Sequence, residues 1–350
     1  MKTLLKNGRE KKALKTRELA QLMGIDQALV SKFESGARKP TKEQIIKLAS
    51  ILEIDYETLM IAWLKEKILY EIGEETFALK ALKEAEDELK YIRTTVPNQK
   101  ISKALEKLLD EIDALKIKLD KFRQFDSFRI AQALELEYTF ESNRIEGNTL
   151  TLRETDLVIN EGLTISGKSM REHLEAINHQ EAIAYIKQLM EKSTTLNERE
   201  VLSIHNLILR GIQPEDAGRY RKVQVMIKGS SYIPPQPYMV AKDMEDFFIW
   251  YETKKNNLHP IVLAAEMHER FVTIHPFIDG NGRTSRLIMN LILLQHGYVI
   301  ANIKGDYENC MHYYQSLETA QTQNNKEDFL LFIAQIEKES LERYIGIIAQ

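Results

Sequence analysis

Residues 275–286 read His-Pro-Phe-Ile-Asp-Gly-Asn-Gly-Arg-Thr-Ser-Arg, and they interrupt a helical pattern at one fixed point. Pro276 disfavours the α conformation for the residue before it, so the apolar helix over 261–274 is predicted to end at His275. Gly280-Asn281-Gly282 can take left-handed dihedrals cheaply and point successive N–H groups inward as an anion nest. A second helix is predicted to start near Arg283, adding its positive dipole end to that nest. The fold must therefore hold a short loop between two helices, with one helix start aimed at whatever the loop binds.

The residue types in the loop name a chemistry. An imidazole at a helix end, with an ordinary pKa of about 6.5, can accept a proton at neutral pH. Asp279 supplies a hard oxygen of the kind Mg²⁺ takes, completing its shell with phosphates and water. Phe277 and Ile278 read as anchors to the core. Arg283 and Arg286 lie three apart, on one helix face, and their planar forks suit phosphate oxygens. Taken singly, the Gly-Asn-Gly-Arg element is equally a capped helix with surface arginines. Together, the residues describe in-line transfer of a nucleotide's phosphoryl group to a hydroxyl.

The rest of the chain is read around this loop. Its 350 residues fit two or three domains, and 43% hydrophobic with 29% charged residues is a soluble, globular composition. The single Cys310 excludes an internal disulfide and fits a reducing cytosol. No leader-like stretch opens the chain, and no segment reaches the ~20 apolar residues of a membrane span, so a cytoplasmic protein without membrane contact is expected. The net charge of −4 conceals an asymmetry: residues 1–50 carry twelve Lys/Arg against five Asp/Glu, and the remainder 36 against 47. Only the basic head is suited to a polyanion.

The first sixty residues read as five short helices. Thr16 is placed as the cap of the second, Gly24 as its stop, Asp26 as the cap of the third, and Pro40-Thr41 as the opening of the next. Two short helices about a tight Gly turn form a helix-turn-helix, whose second helix enters the major groove. Ile101, Leu105, Leu108, Ile112, Leu115, Leu119 and Phe122 repeat in steps of four and three. That seam reads either as a coiled coil, which would pair two heads as a homodimer, or as an amphipathic helix lying on the same chain. Helical periodicity dominates from about Phe125. The exception is 223–240, where β-branched residues flank a Gly229-Ser-Ser turn and argue a small hairpin. His268 reads as a structural, hydrogen-bonded histidine, since the spacing of a zinc-binding His-Glu motif is absent.

Two resemblances sharpen this reading. Leu19, Ala20, Gly24, Ile25, Asp26, Val30, Ser31, Glu34, Gly36 and Pro40 are spaced as in the Cro/repressor-type helix-turn-helix family. The likeness implies DNA binding through residues 1–62, with Gln27, Ala28, Ser31 and Lys32 facing bases and Arg17, Arg38 and Lys39 facing phosphates. Residues 275–286 resemble, position for position, the signature of the Fic family, and the likeness extends over roughly 126–340. With the helical periodicity, the two likenesses imply a mainly α fold: a helix-turn-helix domain over 1–62, a helical linker over 63–124, and a Fic helical bundle over 125–340 with a small β-hairpin flap.

The Fic resemblance also implies an activity, AMPylation, in which AMP passes from ATP to a protein Ser, Thr or Tyr and pyrophosphate leaves. On that likeness His275 is the base and Asp279 holds Mg²⁺. Gly280, Asn281, Gly282 and Arg283 hold phosphates, Thr284 and Ser285 fall within the same nucleotide site, and Arg286 reaches the γ-phosphate. The flap at 225–235 pairs with a target protein, and Lys228, Gly229, Ser230 and Ser231 lie near the nucleotide. Tyr313 and Tyr314 resemble the adenine-pocket pair, and Gln321 stands where relatives often carry Asn. Ser142, Glu146 and Gly147 resemble the family's inhibitory motif, on a helix placed at about 136–147, whose Glu146 would occupy the arginine a γ-phosphate needs. A nucleotide-sensing regulator, removal of AMP, and a different donor remain open alternatives.

Overall fold

The computed structural model describes residues 1–73, 75–84, 101–123 and 128–348. It divides into two compact units at residues 100 and 101. Much of the predicted linker, residues 85–100, and the stretch 124–127 lie outside the described residues.

The first unit opens with helices α1 (Lys2–Lys11), α2 (Thr16–Met23), α3 (Gln27–Ser35), α4 (Lys42–Leu52) and α5 (Tyr56–Ile72). Their apolar faces meet in a core that includes Leu5, Leu19, Val30, Phe33, Ile45 and Leu48. Local signals set the breaks. Gly24 ends α2 in the left-handed conformation at φ 69°, and Asp26 caps α3 by accepting the Ala28 N–H at 2.7 Å. Thr41 and Gln44 close a reciprocal capping box on α4. Thr16, expected as a cap, is instead the first helical residue. The cap position falls on Lys15, whose N–H bonds Glu18 at 2.7 Å, because the Glu18 carboxylate can reach back one turn. Gln27, Ala28, Ser31 and Lys32 all lie exposed on α3, and Arg17 and Arg38 are exposed as well. Lys39 is turned inward: it donates to the Glu66 carbonyl at 3.0 Å and sits 4.2 Å over the Tyr70 ring.

The second unit is built of α6 (Lys103–Phe122), α7 (Phe128–Ile145), α8 (Leu152–Asn160), α9 (Met170–Glu191), α10 (Glu198–Leu209), α11 (Val240–Lys254), α12 (Pro260–Ile274), α13 (Asn281–Gln295), α14 (Tyr307–Gln323) and α15 (Glu327–Ile348). Helices α12 and α13 pack closely on each other at its centre and are buried along nearly their whole length. Apolar residues fill much of both helices, and the buried polar ones include His268, Arg283 and Arg286. Helices α7, α9 and α10 pack against α13, while α11, α14 and α15 pack against α12. The loop between the two central helices therefore rests on a rigid frame. No helix among the described residues is long and apolar enough to cross a membrane.

Of the two readings of the seam at 101–122, the structure shows the second. Helix α6 lies against α15 of its own chain, burying Leu105, Leu109, Ile112 and Leu119 in the core of this unit. The Lys338–Glu111 ion pair at 2.6 Å closes the edge of that contact. The hairpin expected at 225–235 is not confirmed: no strand is found among the described residues. The segment does turn at Gly229, φ 80°, but Pro234 and Pro235 have no N–H to give a ladder. Its two arms are bridged by a side chain, Gln224 Nε2 donating to the Pro234 carbonyl at 2.8 Å.

Candidate active site

Helix α12 ends at His275, which itself adopts φ 50° and ψ 58°. A left-handed conformation in a non-glycine residue is strained and persists only where the surroundings enforce it. Arg221 supplies much of that enforcement. Its Nε donates to the His275 carbonyl at 2.8 Å, its backbone N–H to the Pro276 carbonyl at 2.9 Å, and its Nη1 to the Val223 carbonyl at 3.1 Å. One buried guanidinium thus ties the loop to the base of the 223–236 segment. Across the loop, Asn281 bonds the Phe277 N–H and carbonyl with its two amide ends, at 3.0 and 2.9 Å.

The histidine tautomer follows from the geometry. His275 Nδ1 lies 3.3 Å from the Val272 carbonyl, which can only accept, so Nδ1 carries the proton and Nε2 is the basic nitrogen. Burial lowers the His275 pKa, with the Arg221 charge adding to it. His205 braces the loop from below. Its ring stacks on Phe277 at 3.5 Å, Nδ1 accepts the Gly218 N–H at 2.9 Å, and Nε2 then donates to the Asp279 carbonyl at 2.9 Å. Burial pushes the His205 pKa down to about 4, which keeps this accepting and donating pair intact at neutral pH.

Gly280, at φ 77°, starts α13, and the N–H groups at positions 281–283 open the helix with no intrahelical partner. Asp279 stands beside this end, its Oδ1 accepting the Gly280 N–H at 2.6 Å and its Oδ2 paired with Arg171 at 2.7 Å. Burial works to raise the Asp279 pKa, but Arg283, the Gly280 N–H and Arg171 outweigh it and hold the carboxyl below its usual range. Among the described residues, no group of three or more His, Cys, Asp or Glu could hold a metal ion. Asp279 alone therefore fits only an ion that takes its other ligands from phosphates and water.

The two arginines are nearly fully buried. Arg286 Nε donates to Ser142 Oγ at 3.1 Å, and its Nη2 to the Ser142 carbonyl at 2.9 Å and to Glu146 Oε1 at 2.7 Å. Burial opposes the Arg286 charge, yet Glu146 and neighbouring phenols more than compensate and its pKa is raised. Arg283 lies 3.4 Å from Glu175 and 3.4 Å from Asp279. Arg283 Nε and Arg286 Nη1 are buried donors with no hydrogen-bond partner in the described structure. A buried donor left unpaired costs about 1–3 kcal/mol, so the site is built to receive an anion.

Glu146 is the first residue past α7, in a turn that Gly147 closes at φ 92°. Its carboxylate reaches the helix start itself. A Cβ built on Gly282 would stand 2.5 Å from Glu146 Oε1 and 3.1 Å from Arg286 Nη1. Glycine at 282 is therefore what lets a carboxylate approach the first turn of α13.

The structure brings His275, Asp279, the 280–282 turn, Arg283, Arg286, Ser142, Glu146 and Gly147 together. It places Thr284 and Ser285 in the same turn of α13. Both are fully buried, Ser285 Oγ bonding the Gly282 carbonyl at 2.8 Å, because the helix turns these positions toward the core. Tyr313 is buried too, its hydroxyl 2.9 Å from His268 Nε2, whereas Tyr314 is half-exposed and donates to the Ile145 carbonyl at 3.1 Å beside Glu146. His268 is hydrogen-bonded as expected. In the 228–231 turn, Lys228 and Gly229 are exposed, while Ser231 bonds Glu318 through its N–H at 2.7 Å and its hydroxyl at 2.6 Å. Arg171, Glu175, His205, Arg221 and Glu318 escaped sequence reasoning. Each sits tens of residues from the group it serves, with no spacing to mark it.

A wholly helical frame, an imidazole base and a helix start lined by buried arginines define an anion-binding helical domain with a general base at its edge. Residues 195–293 match the Fic/DOC family, and residues 5–59 match the family described as Helix-turn-helix. A protein adenylyltransferase Fic of Nematostella vectensis is 34% identical over 252 residues, covering 71% of this chain and 58% of the relative. The protein adenylyltransferase Fic of Drosophila grimshawi is 35% identical over 210 residues, 60% of this chain and 42% of that one. The chain thus spans about half the length of the curated relatives it matches. Among solved structures, Fic-1 from C. elegans aligns with a TM-score of 0.63 at 25% identity, over 99% of this chain and 98% of that one. This chain carries a Fic domain with a Cro/repressor-type helix-turn-helix domain N-terminal to it.

Proposed function

We propose that the chain is an auto-inhibited protein adenylyltransferase with a DNA-binding head. It transfers AMP from ATP to a Ser, Thr or Tyr hydroxyl of another protein. The neutral His275 Nε2 takes the proton of the incoming hydroxyl. The oxygen attacks the α-phosphorus, the bond to the β-phosphate oxygen breaks, and pyrophosphate leaves. The helix start at 281–283 and the unpaired N–H groups of Arg283 and Arg286 hold the phosphates, charge-assisted bonds being the strong ones. Mg²⁺, held by Asp279, neutralises phosphate charge when bound. The 223–236 segment, anchored by Arg221, gives a target segment a backbone edge on which to lie. Gln27, Ala28, Ser31 and Lys32, exposed on α3, are the candidates to read bases.

The observation that carries this reading is the 2.7 Å Glu146–Arg286 pair across the first turn of α13. A carboxylate there has the charge, the size and the partner of a terminal phosphate, so the two compete. Removing Glu146 with glycine is expected to raise transfer of label from ATP radiolabelled on its α-phosphate into lysate proteins by ~10–100-fold, at 1.4 kcal/mol per decade. His275→Ala added to that variant should abolish transfer. Labelling of wild type equal to that of Glu146→Gly would remove the brake; labelling that survives His275→Ala would remove the base.

A further inference from the structure

On the second unit, away from every active-site residue named above, lies a cavity of about 460 Å³. This is within the size range of small-molecule sites. Leu134, Met190, Leu294, Val299, Ile300 and Ile336 form its apolar body. Four cations, Arg123, Lys187, Lys304 and Arg343, stand in its wall against two carboxylates, Glu135 and Glu339. Asn302 also lines it, and its Oδ1 is buried with no hydrogen-bond partner in the described structure.

One wall belongs to α7, the helix that ends just before Glu146, and three of the cations hold that helix in place. Lys187 of α9 pairs with Glu135. Arg343 of α15 bonds Glu137 at 2.6 Å. Lys304, in the segment before α14, lies 3.1 Å from Glu137 and 3.9 Å from Glu141, whose Oε2 accepts the Gly305 N–H at 2.8 Å. Residues 142 and 146, which grip Arg286, continue from these carboxylates; Glu135 and Glu146 are separated by roughly 16 Å at 1.5 Å per residue. The seat of α7 is thus a row of ion pairs beside an apolar cavity.

We infer that this cavity is an effector site for a small amphipathic carboxylate, whose head group competes with Glu135, Glu137 and Glu141 for Lys187, Lys304 and Arg343 and so loosens the helix that carries Glu146. The apolar body seats the ligand's hydrocarbon, and its carboxylate takes the place of a protein carboxylate in one of the ion pairs that these cations already make. The binding half stands by itself; the release of Glu146 rests on the proposed function.

The test uses the full chain with decanoate below its micelle concentration. Calorimetry should show saturable one-to-one binding, weakened at least about tenfold with decanol, which lacks the charge, and with inorganic phosphate, which lacks the hydrocarbon. Ala131→Phe on α7 and Ser340→Phe on α15, which fill the cavity from opposite walls, should each abolish binding in protein whose circular dichroism matches wild type. Lys187→Met should weaken it. In the labelling assay, decanoate should raise wild-type transfer about 5-fold or more and leave Glu146→Gly unchanged. The absence of saturable heat, or binding that survives both filling variants, overturns the site. Binding with no rise in wild-type transfer, while Glu146→Gly is active, overturns its control of α7. Should Glu146→Gly itself fail to label, the proposed function falls and calorimetry still decides the site.

Discussion

His275 concentrates the physical argument in one residue. Its backbone is left-handed, its carbonyl is held by Arg221, and its Nδ1 is spent on Val272, which leaves Nε2 free to accept a proton. Burial favours the neutral ring, so the folded pKa lies below the ordinary value of about 6.5. The sign follows directly. The basic form is more populated at every pH than in an unburied imidazole, and it is lost as pH falls through the depressed pKa. Transfer by Glu146→Gly is therefore expected to hold through neutrality, with an acid limb centred below about pH 6.5. A pH–rate profile whose acid limb lies above about 6.5 would contradict a buried, neutral base. The residues nearest this histidine in sequence were legible because they are contiguous. Arg221, 54 positions away, was not, since nothing local distinguishes it from any other surface-prone arginine.

Among the elements, caps and helix stops were the most legible because each depends on one or two neighbouring residues. Asp26, Thr41 and Gly24 act where short-range chemistry puts them. The flap was less legible, because β-branched residues argue strand while Pro234 and Pro235 remove donors a ladder needs. A motif's spelling also does not say which of its members are buried: a helix turns about 100° per residue, and Thr284 and Ser285 are fully buried. The seam at 101–122 shows what periodicity can and cannot decide. It announces an amphipathic helix but not its partner, and here the partner is α15. Ile112, fully buried in that contact, tests the assignment. Ile112→Ala is expected to destabilise the second unit by about 2–4 kcal/mol in denaturant unfolding. An unchanged midpoint with loss of self-association would instead make the seam an interface between chains.

At the scale of the whole chain, the charge asymmetry and the two domain types were visible in the sequence. The basic head carries its candidate base-reading residues on the exposed face of α3. Duplex DNA binding by the full chain, followed by fluorescence anisotropy, should weaken steeply with salt. Gln27→Ala should cost about 1–3 kcal/mol on a preferred sequence while leaving the salt slope unchanged. Equal loss on all sequences would assign Gln27 to the backbone rather than to a base. What the chain did not reveal was how far apart the contributors to one site lie: Ser142 and Glu146 act on Arg286 from 144 and 140 positions away, and Arg171 acts on Asp279 from 108. A motif match anticipated the first pair, and only the packed structure displays the second.

The central claim is that a hydroxyl attacks the α-phosphorus of ATP at His275 once Glu146 no longer occupies Arg286. The most direct measurement compares the Glu146→Gly chain given ATP labelled on the α-phosphate with the same chain given ATP labelled on the γ-phosphate. The account predicts protein-bound label from the α-position alone, with free pyrophosphate released in step. Label arriving from the γ-position, or none from either, would contradict it.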